Sequence, residues 1–106
     1  MKLVLIMSLL FPIATFAAEE AVYTLIIKEH RFQPAEIIIP AGVKVKLLVL
    51  NQDATPEEFE SHSLNREKII AGNGKATIYV GPLVAGRYPF EGEFNAKTAQ
   101  GAIIVQ

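Results

Sequence analysis

Four acids, Asp53, Glu57, Glu58 and Glu60, fall within eight residues with no Lys or Arg between them, and His62 follows two positions later. Carboxylates this close repel one another at a cost of a few tenths of a kcal/mol per surface pair, the scale seen for helical neighbours, and a bound cation would relieve that repulsion. In an extended chain alternate side chains point to opposite faces. Glu58, Glu60 and His62 would then share one face, and Glu57, Phe59 and Ser61 the other, with Phe59 turned to the core. Such an edge offers three donors to one ion. The same run also suits a solvated acidic loop, because charge runs ordinarily face water.

The only other histidine is His30, which has Lys28 and Arg31 close by in the chain. Those cations disfavour a second positive charge on the imidazole, which suits either a neutral ligand nitrogen or a surface histidine. No cysteine is present, and both methionines, Met1 and Met7, lie in the first seven residues. A metal site in the rest of the chain must therefore use imidazole, carboxylate, amide or backbone oxygen. That donor set suits iron, manganese, zinc or Cu(II) and offers nothing to favour Cu(I). Hydrolysis is excluded: Ser61 and Ser63 flank His62, but extended-chain neighbours face opposite ways, and no Gly-x-Ser-x-Gly turn occurs.

Lys2, the apolar run Leu3 to Ile13 and the small residues around Thr15-Phe16-Ala17 read as a secretory signal cleaved after Ala17, residues 1–17. An N-terminal membrane anchor is the competing reading, although the apolar run is short for a span. Cleavage would leave residues 18–106 as one small, exported, disulfide-free domain. With Lys2 gone, nine of the ten basic residues remain against eleven acids, a net charge near −2. That balance gives no footprint for nucleic acid or an anionic membrane.

These side chains must be carried on strands. From Val22 onward, β-branched and aromatic bursts alternate with Pro, Gly, Asn and Asp. The expected strands are Val22 to Lys28, Glu36 to Ile39, Lys44 to Asn51, a stretch near Phe59 to Leu64, Lys68 to Ile70, Ala76 to Val80, Gly86 to Glu93 and Ala102 to Val105. Half-buried alternation, clear in Lys75 to Val80, implies an all-β sandwich of seven to eight strands. No window has a sustained helical period. Tyr88 and Phe90 read as core residues.

Two stretches, "RFQPAEIIIPAGVKVKLLVLNQD" (31–53) and "AGRYPFEGEFNAKTAQGAIIVQ" (85–106), resemble the first and last signature segments of the cupredoxin family, a Greek-key β-sandwich. The family's last segment reads Tyr-x-Phe-x-Cys-x-x-His, then Met, then Gly. Here Tyr88, Phe90 and Gly101 match. Gly92 stands at the Cys position, Asn95 at the His position and Gln100 near the Met position, while the remaining His would fall near Glu57. Blue copper needs a thiolate, so plastocyanin-like electron transfer is excluded.

The stretch from Thr55 to Gly101 is similar to a cysteine-free, exported subgroup that accompanies bacterial iron permeases. That resemblance implies a periplasmic protein that binds iron or Cu(II) and works with a membrane iron permease and other periplasmic uptake components. Were it an enzyme, it would assist one-electron oxidation of ferrous iron, with an acceptor that the sequence does not supply. The subgroup commonly carries His where Asn95 stands. The topology implies that the turns around His30, Thr55 to His62 and Glu91 to Gln100 meet at one end of the sandwich. The metal candidates are thus His30, Glu57, Glu58, Glu60, His62 and Glu93; Glu93 neighbours the thiolate position, and Glu91 is its alternate. A metal-free interaction module of a periplasmic transport complex is the alternative.

Overall fold

A computed structural model describes residues 2–12 and 20–106. The expected cleavage after Ala17 lies outside the described residues. Among those described, no helix is long and apolar enough to cross a membrane.

Among the described residues, nine strands form two sheets: β1 Val22–Lys28, β2 Arg31–Gln33, β3 Glu36–Ile39, β4 Val45–Asn51, β5 Glu57–Ser61, β6 Arg66–Ile70, β7 Lys75–Val80, β8 Gly86–Gly92 and β9 Gln100–Val105. One sheet runs β2-β1-β4-β7 and the other β3-β9-β8-β5-β6. Pairing is antiparallel except for β1 with β4 and β3 with β9. The strand beyond the expected eight is β2, three residues long before Pro34. Too short to show a period of its own, it pairs with β1 across the two-residue turn Glu29-His30.

Period-two burial builds the core. Val45, Leu47 and Val49 of β4 face Phe59 of β5, Phe90 of β8 and Ile103 of β9, all buried. Phe59 and Phe90 stack at 4.9 Å between centroids, and Phe32 of β2 meets Phe90 edge-on at 4.9 Å, a favoured aromatic geometry. The expected strand near Phe59 to Leu64 ends earlier, at Ser61. There the Ser61 Oγ accepts the Leu64 N–H at 3.2 Å, and Asn65 takes a positive φ of 53°, so the chain reverses into β6.

Three connections converge at one end. The Asp53 carboxylate, just past β4, accepts the Glu29 and His30 N–H groups at 2.8 and 3.0 Å. From the β8–β9 loop, Thr98 donates its hydroxyl to the His30 carbonyl at 2.6 Å. Buried Asn51 donates to the carbonyls of Thr55, Ile70 and Ala71 and accepts the Asp53 N–H, tying the β4–β5 and β6–β7 connections together.

Candidate metal centre

Alternation along β5 sends Glu57, Phe59 and Ser61 inward and Glu58 and Glu60 outward. Neighbouring glutamates therefore have opposite fates. Glu57 is 1% exposed, and its carboxylate is fully engaged: Oε1 accepts the N–H groups of Glu58 and Phe94, both at 2.9 Å, and Oε2 accepts the Asn95 amide at 2.8 Å. Burying a carboxylate is costly unless its oxygens are hydrogen-bonded, and charge-assisted bonds of this kind are the strong ones. Glu57 has three donors and, among the described residues, no cationic partner.

Gly92 ends β8 directly beside it. A Cβ at this position would stand 2.6 Å from the Glu57 carboxyl carbon, 2.7 Å from its Oε2 and 2.7 Å from the Ala99 Cβ. The space into which a side chain at position 92 would project is filled by the Glu57 carboxylate. Gly92 also donates its N–H to the Ala99 carbonyl at 2.8 Å, and Ala99 donates to Asn95 at 2.8 Å, which closes the loop around a single 3-10 turn, Glu93–Asn95.

On the outer face of the five-stranded sheet, Glu58, Glu60, Glu67 and Glu93 converge. One carboxylate oxygen from each lies within 4.8 Å of every other. Glu60 and Glu67 are direct cross-strand partners in the β5–β6 hairpin, a like-charge pairing that ordinarily destabilises a sheet. Sharing a hydrogen bond with Glu67, assisted by partial desolvation and by Glu93, pushes the Glu58 carboxyl up to about 7. Glu60 is raised as well, mainly by its contact with Glu93. Glu58 therefore keeps part of its proton near pH 7, where an ordinary carboxylate has released it. Donors of this kind suit a hard or borderline cation and also hold a proton that such a cation would displace.

The sequence-derived candidates thus fall into three places. Glu58, Glu60 and Glu93 come together on the sheet face. Glu57 lies on the inner side, turned away from them. His30 sits on the β1–β2 turn at the converging end, outside the group of four carboxylates, and there its main chain makes the contacts. His62 borders the group: its side chain is 95% exposed, with Nε2 3.6 Å from the Glu60 Oε1. Glu91 lies beside the group without joining it and accepts the Gln100 amide at 3.3 Å. Glu67 was missed from the sequence, yet a hairpin turning at His62–Asn65 places it opposite Glu60. That register could have found it.

The architecture is that of an all-β, two-sheet sandwich with three connections gathered at one end. The chain belongs to the cupredoxin-like domain family, whose model matches residues 2–105. It is 46% identical over 79 residues to an uncharacterized protein of Rickettsia prowazekii (strain Madrid E), covering 74% of this chain and 63% of that relative's length. Among solved structures, it is similar to auracyanin A, a "blue" copper protein from the green thermophilic photosynthetic bacterium Chloroflexus aurantiacus. That match has a TM-score of 0.72 at 15% identity and covers 83% of this chain and all of that one. The metal-binding domain of a Cu(I)-exporting P-type ATPase of Streptococcus pneumoniae D39, solved with Cu(I), matches at a TM-score of 0.68 and 16% identity, over 85% of this chain and 91% of that one. At these identities the structural likeness establishes the fold.

Copper of the blue type does not fit this chain. The positions that resemble the family's ligand positions hold Glu57, Gly92, Asn95 and Gln100, with neither sulfur nor imidazole. The space at Gly92 is taken by a carboxylate whose oxygens are already satisfied.

Proposed function

We propose that this cupredoxin-like protein binds a hard or borderline cation, iron or Cu(II), through the outward carboxylates of Glu58, Glu60, Glu67 and Glu93, with His62 as an adjacent donor. The observation that carries this reading is the convergence of those four carboxylates from β5, β6 and the turn after β8 to within 4.8 Å. Four acids held this close, two of them directly opposed across strands, work against folding unless a proton or a cation sits between them. In keeping with the subgroup that the sequence resembles, the cation would serve iron uptake in the periplasm, beside a membrane iron permease and other uptake components. The family's end-of-sandwich position takes no part.

The test is titration of the purified protein with Fe(II) under anaerobic conditions, and with Cu(II) and Zn(II), following heat and stoichiometry. The expected result is one site, weakened at least about tenfold by Glu60→Ala or Glu93→Ala. Affinity no tighter than that of an acidic peptide, and insensitive to both substitutions, would leave a second reading: a metal-free interaction module of a periplasmic transport complex. The closure of the family's ligand position by Glu57 favours that second reading.

A further inference from the structure

We propose that Glu57 is a positioning residue: its buried carboxylate stands where the family's ligand side chain from position 92 would project, and from there it locks the turn after β8 so that Glu93 faces Glu58, Glu60 and Glu67. The inference rests on the cation-binding reading given above and adds what organises that site.

Glu93 has no regular strand partner to fix it, because β8 ends at Gly92. Its backbone is held from both sides instead. On one side Gly92 donates to the Ala99 carbonyl at 2.8 Å. On the other, Phe94 donates its N–H to the Glu57 Oε1 at 2.9 Å and Asn95 donates its side-chain amide to Oε2 at 2.8 Å. Oε1 also accepts the N–H of Glu58, one of the four converging acids, at 2.9 Å. A single inward carboxylate therefore ties β5 at Glu58 to the residues that follow Glu93. Gly92 is required for this arrangement, since any Cβ there would collide with the Glu57 carboxyl carbon at 2.6 Å. Asn95 serves as a hydrogen-bond donor to Glu57, using the amide nitrogen that a carboxylate acceptor demands.

Removing the charge and removing the geometry have different consequences. Glu57→Gln keeps one carbonyl oxygen for the Phe94 and Glu58 N–H groups, and a turned-over Asn95 amide can present its own oxygen to the new NH2. Glu57→Ala leaves all three donors without a partner. With Cu(II) alone as the probe, calorimetry on wild type, Glu57→Gln, Glu57→Ala and Asn95→Ala should find Glu57→Gln close to wild type. Glu57→Ala should be weaker by about tenfold to a hundredfold, the effect typical of groups that orient metal ligands, and Asn95→Ala should fall between.

Equal losses in Glu57→Gln and Glu57→Ala would show that only charge matters and would overturn the proposal. So would unchanged affinity in a folded Glu57→Ala, or in Asn95→Ala should the former not fold. Amide hydrogen exchange at Phe94 reads the same lock without metal: protection should survive Glu57→Gln and fail in Glu57→Ala and Asn95→Ala, and protection retained in all of them sinks the idea. A wild type that binds no Cu(II) but loses Phe94 protection in these variants would remove the cation reading and leave the lock standing.

Discussion

At the scale of a single residue, Gly92 is constrained by what stands beside it: an added Cβ would meet a carboxylate and a methyl group at once. Gly92→Ala should therefore cost about 1–3 kcal/mol, the range for overpacking a filled interior, read as a lowered denaturant midpoint with unchanged slope. Gly92→Cys, which restores the family's residue type, should be at least as costly while Glu57 remains. Conversely, a Gly92→Ala variant as stable as wild type would mean that the carboxylate is not where the structure places it. At this scale the alternation of β5 was legible from the sequence, because period two alone separates Glu57 from Glu58. The hydrogen-bonded lock was not, since the donors on Phe94 and Asn95 lie more than thirty residues downstream.

Among the elements, the β1–β2 hairpin turns on two non-glycine residues, Glu29 at φ 53° and His30 at φ 57°. Two residues with positive φ are what a tight type I′ connection requires, and side chains other than Gly, Asn and Asp resist that conformation by about 1–2 kcal/mol per residue. Asp53 offsets part of this by accepting both turn N–H groups. His30→Gly should accordingly stabilise the protein by about 0.5–1 kcal/mol, net of the greater freedom glycine gives the unfolded chain. Cation affinity should not change, because the imidazole lies outside the four converging carboxylates. A large affinity loss in His30→Gly would place that imidazole in the site after all. The β5–β6 hairpin shows why Glu67 escaped notice: the sequence suggested an acidic strand, but the early reversal after Ser61 decided which residue faces Glu60.

For the molecule as a whole, the converging acids contribute a pH dependence of stability opposite in sign to that of an ordinary paired carboxylate. Glu58 faces Glu67 from β6 and Glu93 from the turn after β8, with Glu60 and His62 alongside, and its carboxyl rises from an ordinary 4.5 to about 7. A group that holds its proton more tightly when folded contributes stability that is fully present below its unfolded pKa and is lost as pH rises through its folded one. Metal-free protein should thus lose stability between about pH 4.5 and about pH 7. Adding the cation, or substituting Glu58→Gln, should flatten that slope in thermal melts across the window. Asp53 works the other way: the backbone donors of His30 and Glu29 hold its carboxyl below the ordinary range, so its contribution disappears only in stronger acid. A melting temperature that rises steadily from pH 4.5 to 7 without metal would contradict the convergence on the sheet face.

Composition and pattern by themselves determined the chemistry open to this protein. A chain without sulfur beyond its first seven residues is barred from thiolate copper, and period-two bursts between turn residues dictate half-buried strands and hence a sandwich. The tertiary structure alone decided which acids meet. Whether a glutamate joins a cluster or fills a vacated ligand position depends on cross-strand register and on contacts between residues far apart in the chain. Short-range alternation carries no information about either.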